Sequence, residues 1–237
     1  MGEEILSEEY LIDVIDTYKE ATKCNSCFEN KELKMVRGKV RKAQPRWVGK
    51  NYFSSDLRIC LMLINPGNVG SGKGQAKIET SKKFDNTIKQ FGKGTESWRD
   101  VMSFIHKDME NWGEGRYWHF YFEKMKLNID EVAMMNMMLC SATEVNKNKN
   151  YYTSSSLRNC YALHTKKLIT ELDPDFLILS GTNVTSALKP FRQDLEKILP
   201  KCEFIDTFHY RPQLKADWPK ADKAAENVGN YLKEFLI

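Results

Sequence analysis

No stretch of this chain approaches the ~20 consecutive apolar residues that a membrane-spanning helix requires. The opening, Met-Gly-Glu-Glu-Ile-Leu, lacks the basic and apolar parts of a secretory leader. It also lacks the Ser or Thr of a myristoylation site. Charge of one sign is scarcely in excess: 36 Lys and Arg against 32 Asp and Glu leave a net +4. That balance allows a local basic face but does not by itself argue for a nucleic-acid partner. There is no internal repeat, no low-complexity tract and no linker that would split the chain. These absences lead us to expect a soluble cytoplasmic monomer without a membrane partner, folded as one domain over residues 1–237. Such a length buries a sizeable core, since ~150 residues already remove roughly 70% of the unfolded surface from water. In a reducing compartment the six cysteines are more readily free, catalytic or ligating than disulfide-bonded.

Four apolar runs read as strands: 57–64, 132–139, 175–180 and 203–208. Helical spacing separates and flanks them over 8–22, 80–91, 96–109, 115–126, 155–172, 183–198 and 217–235. Ser154, Ser155 and Ser156 offer an N-cap to the helix at 155–172, and Pro174 follows its end. Continuous apolar strands alternating with helices predict an α/β fold: three α/β/α layers around a mainly parallel four-stranded sheet. Residues 28–56 are basic and irregular, with Lys31, Lys34, Arg37, Lys39, Arg41, Lys42, Arg46 and Lys50. A solvated loop is the ordinary fate of such a run, and a phosphate-facing arm is the functional alternative.

Polar residues stand where these strands hand over to loops, and in open α/β sheets ligands bind at those carboxyl ends. The first run ends in Asn65-Pro66-Gly67. Pro66 fixes the backbone and Gly67 permits close approach of a ligand. The same stretch, Gly67-x-x-x-x-Gly72-Lys73, is one residue from a phosphate-binding loop, but Gly74 replaces the Ser or Thr that would hold magnesium. In the second run, six of the seven residues 133–139 are Ala, Met or Leu; the other is Asn136. An unpaired amide in such a strand costs roughly 1–3 kcal/mol. It therefore serves either a neighbouring backbone or a ligand to which one amide offers both a donor and an acceptor. The fourth run ends at His209, followed by Tyr210, Arg211 and Pro212. The remaining histidines, His106, His119 and His164, fall inside helical patterns and read as surface or packing residues.

Cys24 and Cys27 form a CxxC, Cys140 follows the second strand, and Cys160 lies on the next helix. Four thiolates suit either an iron–sulfur cluster or zinc. Cys60 and Cys202 read as small buried hydrophobes.

In order and spacing, these motifs resemble the uracil-DNA glycosylase superfamily. The cysteine pattern is similar to its iron–sulfur branch, in which an asparagine and a cysteine are separated by three residues, as in Asn-Val-Val-Lys-Cys. Asn136-Met-Met-Leu-Cys140 has that spacing. The Asn-Pro-Gly looks instead like the mismatch-specific and single-strand-selective branches; the iron–sulfur branch has Gly-Glu-Ala-Pro-Gly there. Two other departures are Ser141-Ala-Thr-Glu-Val-Asn-Lys147 in place of Arg-Pro-Pro-Gly-Asn-Arg, and His209-Tyr210-Arg211 in place of His-Pro-Ser.

The resemblance implies a DNA glycosylase that hydrolyses the N-glycosidic bond of uracil or a related damaged base, acting in the cytoplasm and on the nucleoid during repair. It implies that Asn65 orients the attacking water and that His209 donates to uracil O2 and stabilises the departing anion. Asn136 would read the base, Phe84 would form the aromatic floor beneath it, and Arg211 and Lys73 would contact DNA. It further implies a [4Fe–4S] cluster on Cys24, Cys27, Cys140 and Cys160, with zinc as the alternative. Two rivals stay open: a non-catalytic nucleic-acid-binding relative of the same fold, and a nucleotide-binding protein using residues 67–74.

Overall fold

The computed structural model describes the backbone of residues 2–29, 40–64, 75–142 and 152–236, and the side chains of 11–27, 29, 42–64, 79–141 and 152–236. Helix α1 (Gly2–Lys23) and the short α2 (Ser26–Glu29) precede β1 (Val40–Arg41) and β2 (Ile59–Leu63). Helices α3 (Gln75–Lys93), α4 (Trp98–Met109) and α5 (Arg116–Trp118) cross to β3 (Val132–Asn136), and α5 continues as a π-helical stretch over His119–Lys124. After β4 (Ser141–Ala142) come α6 (Ser154–Cys160), a second π-helical stretch at Tyr161–Thr165, and α7 (Lys166–Leu172), without a break between them. Then follow β5 (Phe176–Ser180), α8 (Thr182–Leu188), α9 (Arg192–Ile198), β6 (Glu203–Thr207) and α10 (Trp218–Lys233).

Strands β2, β3, β5 and β6 form one sheet in the order β3-β2-β5-β6, all parallel. The expected α/β class and four-stranded sheet are both present, and each strand lies inside its apolar run. Every residue of β3 and β5 is buried, which explains why those runs show no alternation. Helices cover both faces. On one, Tyr117 reaches Met134 and Tyr231 of α10 packs edge-on to Phe176. On the other, Thr185 of α8 bonds Asp206, and Arg192 of α9 lies 3.7 Å above the Phe204 ring.

The cap of the helix that begins at Ser154 differs from expectation. Thr153 is the N-cap, and its hydroxyl accepts from Ser156 N–H while Ser156 Oγ accepts from Thr153 N–H. Serine thus acts as the third residue of a capping box rather than as the cap. That helix ends on Asp173, left-handed at φ 41°, directly before Pro174. The apolar run 132–139 is only half strand: beyond Asn136, the N–H groups of Met137 and Met138 donate to Leu63 O and Ile64 O, extending the pairing past the regular ladder.

The basic run also needs correction at Arg46, which is only 4% exposed. Its guanidinium stacks 5.3 Å from the Trp112 ring and bonds Gln44 Oε1. Residues around it run antiparallel to β3: Val48 bridges Ala133, Trp47 O accepts from Met134 N–H, and Gln44 N–H donates to Leu139 O. The segment is therefore an edge cover of the sheet. Lys31, Lys34, Arg37 and Lys39 lie outside the described residues.

Candidate active site

The carboxyl ends of the strands define the site. Asn136 pairs in register with Leu63, and Ser180 with Thr207; two residues earlier, Leu61 pairs with both Met134 and Ile178. These parallel pairings put Asn136, Leu63, Ser180 and Thr207 in one row on one face. Adjacent strands lie ~4.8 Å apart, so the row spans about 14 Å. Asn136 is 2% exposed. His209 stands just beyond Thr207 at the other end of the row.

His209 is fixed from several sides. Its Nδ1 lies 3.2 Å from Arg211 N and 3.0 Å from Arg211 O, so this nitrogen is committed to the Arg211 backbone in either tautomer. His209 lines an open cleft of about 690 Å³ together with Thr182, Thr185, Asp206 and Asn227. Burial pushes the imidazole pKa below its ordinary value; the Arg211 backbone hydrogen bond opposes this and the Arg211 charge adds to it. The ring is therefore held neutral near pH 7. Behind it is Gly181, at φ 93°, where an added Cβ would sit 3.0 Å from His209 Cβ. A side chain there would press on the histidine and shift it by a few tenths of an ångström, and the backbone angle itself suits glycine.

The carbonyls on either side of His209 are also held. Tyr121 donates to Ser180 Oγ, which donates to Phe208 O at 3.3 Å. Arg116 Nε donates to Tyr210 O at 3.3 Å. Arg116, 8% exposed, is itself tied to Asp222 of α10 and lies 4.7 Å over the Trp218 ring. Tyr210 packs tilted against His209 at 4.3 Å and meets Tyr117 edge-on at 5.1 Å. Sequence reasoning missed this support, although the aromatic run Gly115-Arg-Tyr-Trp-His-Phe-Tyr-Phe122 was a visible signal. A π-helical stretch within it often accompanies a functional site.

Other expected residues fall as follows. Phe84 is fully buried on α3, 4.9 Å from Phe104. A ring with no exposed face cannot floor a bound base without its neighbours moving, and this burial is what a core residue of α3 shows. Arg211 pairs with Glu114 at 2.8 Å and is partly exposed on the His209 loop, beside exposed Phe208 and Leu214. Asn65 and Lys73 lie outside the described residues, as does the rest of the loop 65–74.

The four singled-out cysteines come together. Cys24, Cys27, Cys140 and Cys160 line one pocket with Ala43, Met138, Leu139, Leu163 and His164. The cavity between them is about 20 Å³. As the side chains stand, no group of three or more His, Cys, Asp or Glu among the described residues is arranged to hold an ion. Burial, and then the neighbouring thiols Cys160, Cys24 and Cys27, push the Cys140 thiol well up; Lys42 opposes them. Burial pushes Cys160 up to about 11, against hydrogen bonds from Leu139 N–H at 3.3 Å and Thr165 Oγ1 at 4.0 Å. Crowded neutral thiols of this kind release their protons when a cation binds. Cys60 is fully buried, as expected; Cys202 is only partly so.

Of the two expectations for His164, surface or packing, burial selects the second: it is 9% exposed, and among the described residues neither ring nitrogen has a hydrogen-bond partner. Among the described residues no helix is long and apolar enough to cross a membrane. The sequence matches no protein-family model, and no curated protein matches it.

Proposed function

We propose that the chain is a DNA glycosylase that hydrolyses the N-glycosidic bond of uracil or a related damaged base. The observation that carries the reading is His209: a neutral imidazole at a strand tip that lines the cleft and whose Nδ1 is tied to Arg211, leaving Nε2 for a ligand. In the tautomer where Arg211 N–H donates to Nδ1, Nε2 carries the proton. It then donates to the O2 on which negative charge develops as the base departs. A preorganised donor of this kind is worth roughly 10²–10³ in rate.

Asn136, in the same row, presents an amide whose N–H₂ suits uracil O4 and whose carbonyl suits N3–H. The base enters after flipping from the helix, at least cost from mismatched or single-stranded DNA. Asn65 orients the water. The Asn-Pro-Gly motif contains no carboxylate, so the reaction rests on water positioning and anion stabilisation rather than on a strong general base. Arg211, with exposed Phe208 and Leu214 beside it, faces the nucleic acid, and Lys73 contributes a phosphate contact.

The donor chemistry of Cys24, Cys27, Cys140 and Cys160 fits a [4Fe–4S] cluster: four sulfurs on one pocket, apolar walls and an N–H already donated to Cys160. Such a cluster would brace the chain by tying the α1–α2 junction, the segment after β3, and α6 together.

Excision from uracil-containing single- and double-stranded oligonucleotides tests the reading. His209→Ala and Asn65→Ala are each expected to lower the rate at least ~10-fold, within what a preorganised donor worth roughly 10²–10³ can account for, with folding intact. Unchanged rates in both would remove the mechanism. DNA binding without any excision by the unmodified chain would favour the non-catalytic relative, to which the closed Phe84 ring also lends weight.

A further inference from the structure

Among the described residues, His164 is a buried polar group without a hydrogen-bond partner. Neither Nδ1 nor Nε2 is bonded, and neither is open to solvent. Leaving such a group unpaired costs roughly 1–3 kcal/mol, and native structures rarely do so without a ligand, ion or water to explain it. The residue stands on the π-helical stretch Tyr161–Thr165, immediately after Cys160 and α6. It lines the same pocket as the four cysteines, whose other walls, Ala43, Met138, Leu139 and Leu163, offer it no side-chain acceptor. Asn25 and Ser26 also line the pocket, and neither is bonded to it. Within the pocket the acceptors facing it are the sulfurs; outside it, the Glu20 carboxylate of α1 is near enough to act on the ring through its charge but makes no hydrogen bond to it.

We propose that His164 is a hydrogen-bond donor to the sulfurs of a metal–sulfur group held by Cys24, Cys27, Cys140 and Cys160. The inference rests on the reading of those cysteines as ligands and adds a residue that this reading does not contain. An imidazole carries at least one N–H in either protonation state, so the role does not depend on its titration. Donation to ligand sulfur stabilises its negative charge, orients it and raises the reduction potential of an iron–sulfur centre. Leu139 N–H and Thr165 Oγ1 already approach Cys160 Sγ. His164 adds a donor from a side chain that makes no hydrogen bond of its own among the described residues.

The test compares the full chain, purified without oxygen, as wild type, His164→Gln, His164→Phe and His164→Met; the last is a second variant without a donor should phenylalanine not be accommodated. Iron and sulfide per chain, the reduction potential from a redox titration followed by absorbance, and the thermal midpoint of each chain after metal removal are measured. The expected result is equal iron in all, a lower potential in His164→Phe or His164→Met, and a potential near wild type in His164→Gln, whose amide keeps an N–H. Loss of iron only from the variants without a donor, with metal-free midpoints unchanged, supports the same role.

An unaltered potential in the donor-free variants overturns it. So does loss of iron from His164→Gln as well, or a lowered midpoint in every metal-free variant, which would mark a packing role. Wild type without iron, or with one zinc ion, overturns the iron–sulfur reading itself. An iron-loaded wild type whose potential ignores position 164 overturns the histidine alone.

Discussion

Arg116 grips Asp222 with both terminal nitrogens, at 2.6 and 3.3 Å, and gives its Nε to the carbonyl of Tyr210 at 3.3 Å. One guanidinium thus joins α5, α10 and the loop that carries His209. Burial raises the Asp222 carboxyl, but the hydrogen bond and charge of Arg116, with His119 assisting, pull it below its ordinary value. Replacing Arg116 by Met would leave that half-buried carboxylate with only the weaker His119 contact at 3.4 Å. Breaking a buried pair costs about 3 kcal/mol or more, so urea unfolding of Arg116→Met should show a loss of that size. Asp222→Asn in the same background should restore part of it. A single variant as stable as the parent would mean the pair holds nothing.

The depressed His209 pKa gives stability a pH dependence of known sign. The folded state resists a proton that the unfolded chain accepts near pH ~6.5. The contribution of the neutral ring is therefore complete above that pH and is lost as pH falls through the lower, folded value. Thermal midpoints should fall between pH 7 and pH 5.5, and fall less in His209→Gln. Parallel curves for the two chains would contradict the shift.

Gly229 marks where α10 crosses the segment after the first π-helical stretch. A Cβ there would lie 2.2 Å from Met125 O, against backbone that cannot turn aside. Gly229→Ala is expected to lower stability by about 2 kcal/mol or more, within the range for overpacked cores. Thermal denaturation reads it directly, and an unchanged midpoint would show that the crossing yields.

Asn136→Asp separates recognition from support. The variant loses the donor that matches uracil O4. Uracil excision should fall by about 1–3 kcal/mol of discrimination, the usual worth of a bidentate base contact, and weak cytosine excision is expected to emerge. A lower melting temperature with an unaltered uracil-to-cytosine preference would assign Asn136 to the fold alone.

The sheet was legible because continuous apolar runs leave few alternatives, and the same runs located Asn136 and His209 at strand tips. The four cysteines were legible as a set because a CxxC and two further cysteines stand at separate landmarks, and the fold brings all four to one pocket. Other features left weaker traces. Arg46 sat inside a charge run, and nothing local announces that its guanidinium is roofed by Trp112 from 66 positions away. Arg116, Ser180 and Tyr121 support His209 through contacts between distant segments, and such contacts leave no periodic mark. His164 fits a helical pattern perfectly well; only its surroundings make it unusual. Phe84 had an aromatic ring at a plausible place, but burial against Phe104 decided its role.

The segment 43–48 has a consequence for how the molecule meets others of its kind. An open sheet exposes unpaired backbone at both flanks, and such flanks invite strand addition and fibrous aggregation. Along β3 that flank is occupied by the chain's own Gln44, Trp47 and Val48, whose backbone groups bond to β3 and the residues that follow it. Along β6 an approaching strand would meet exposed Glu203 and Asp206, one carboxylate toward each face. Crowding during synthesis should therefore find little on this sheet to template growth, and deleting the 43–48 cover should turn a well-behaved protein into one that self-associates through β3.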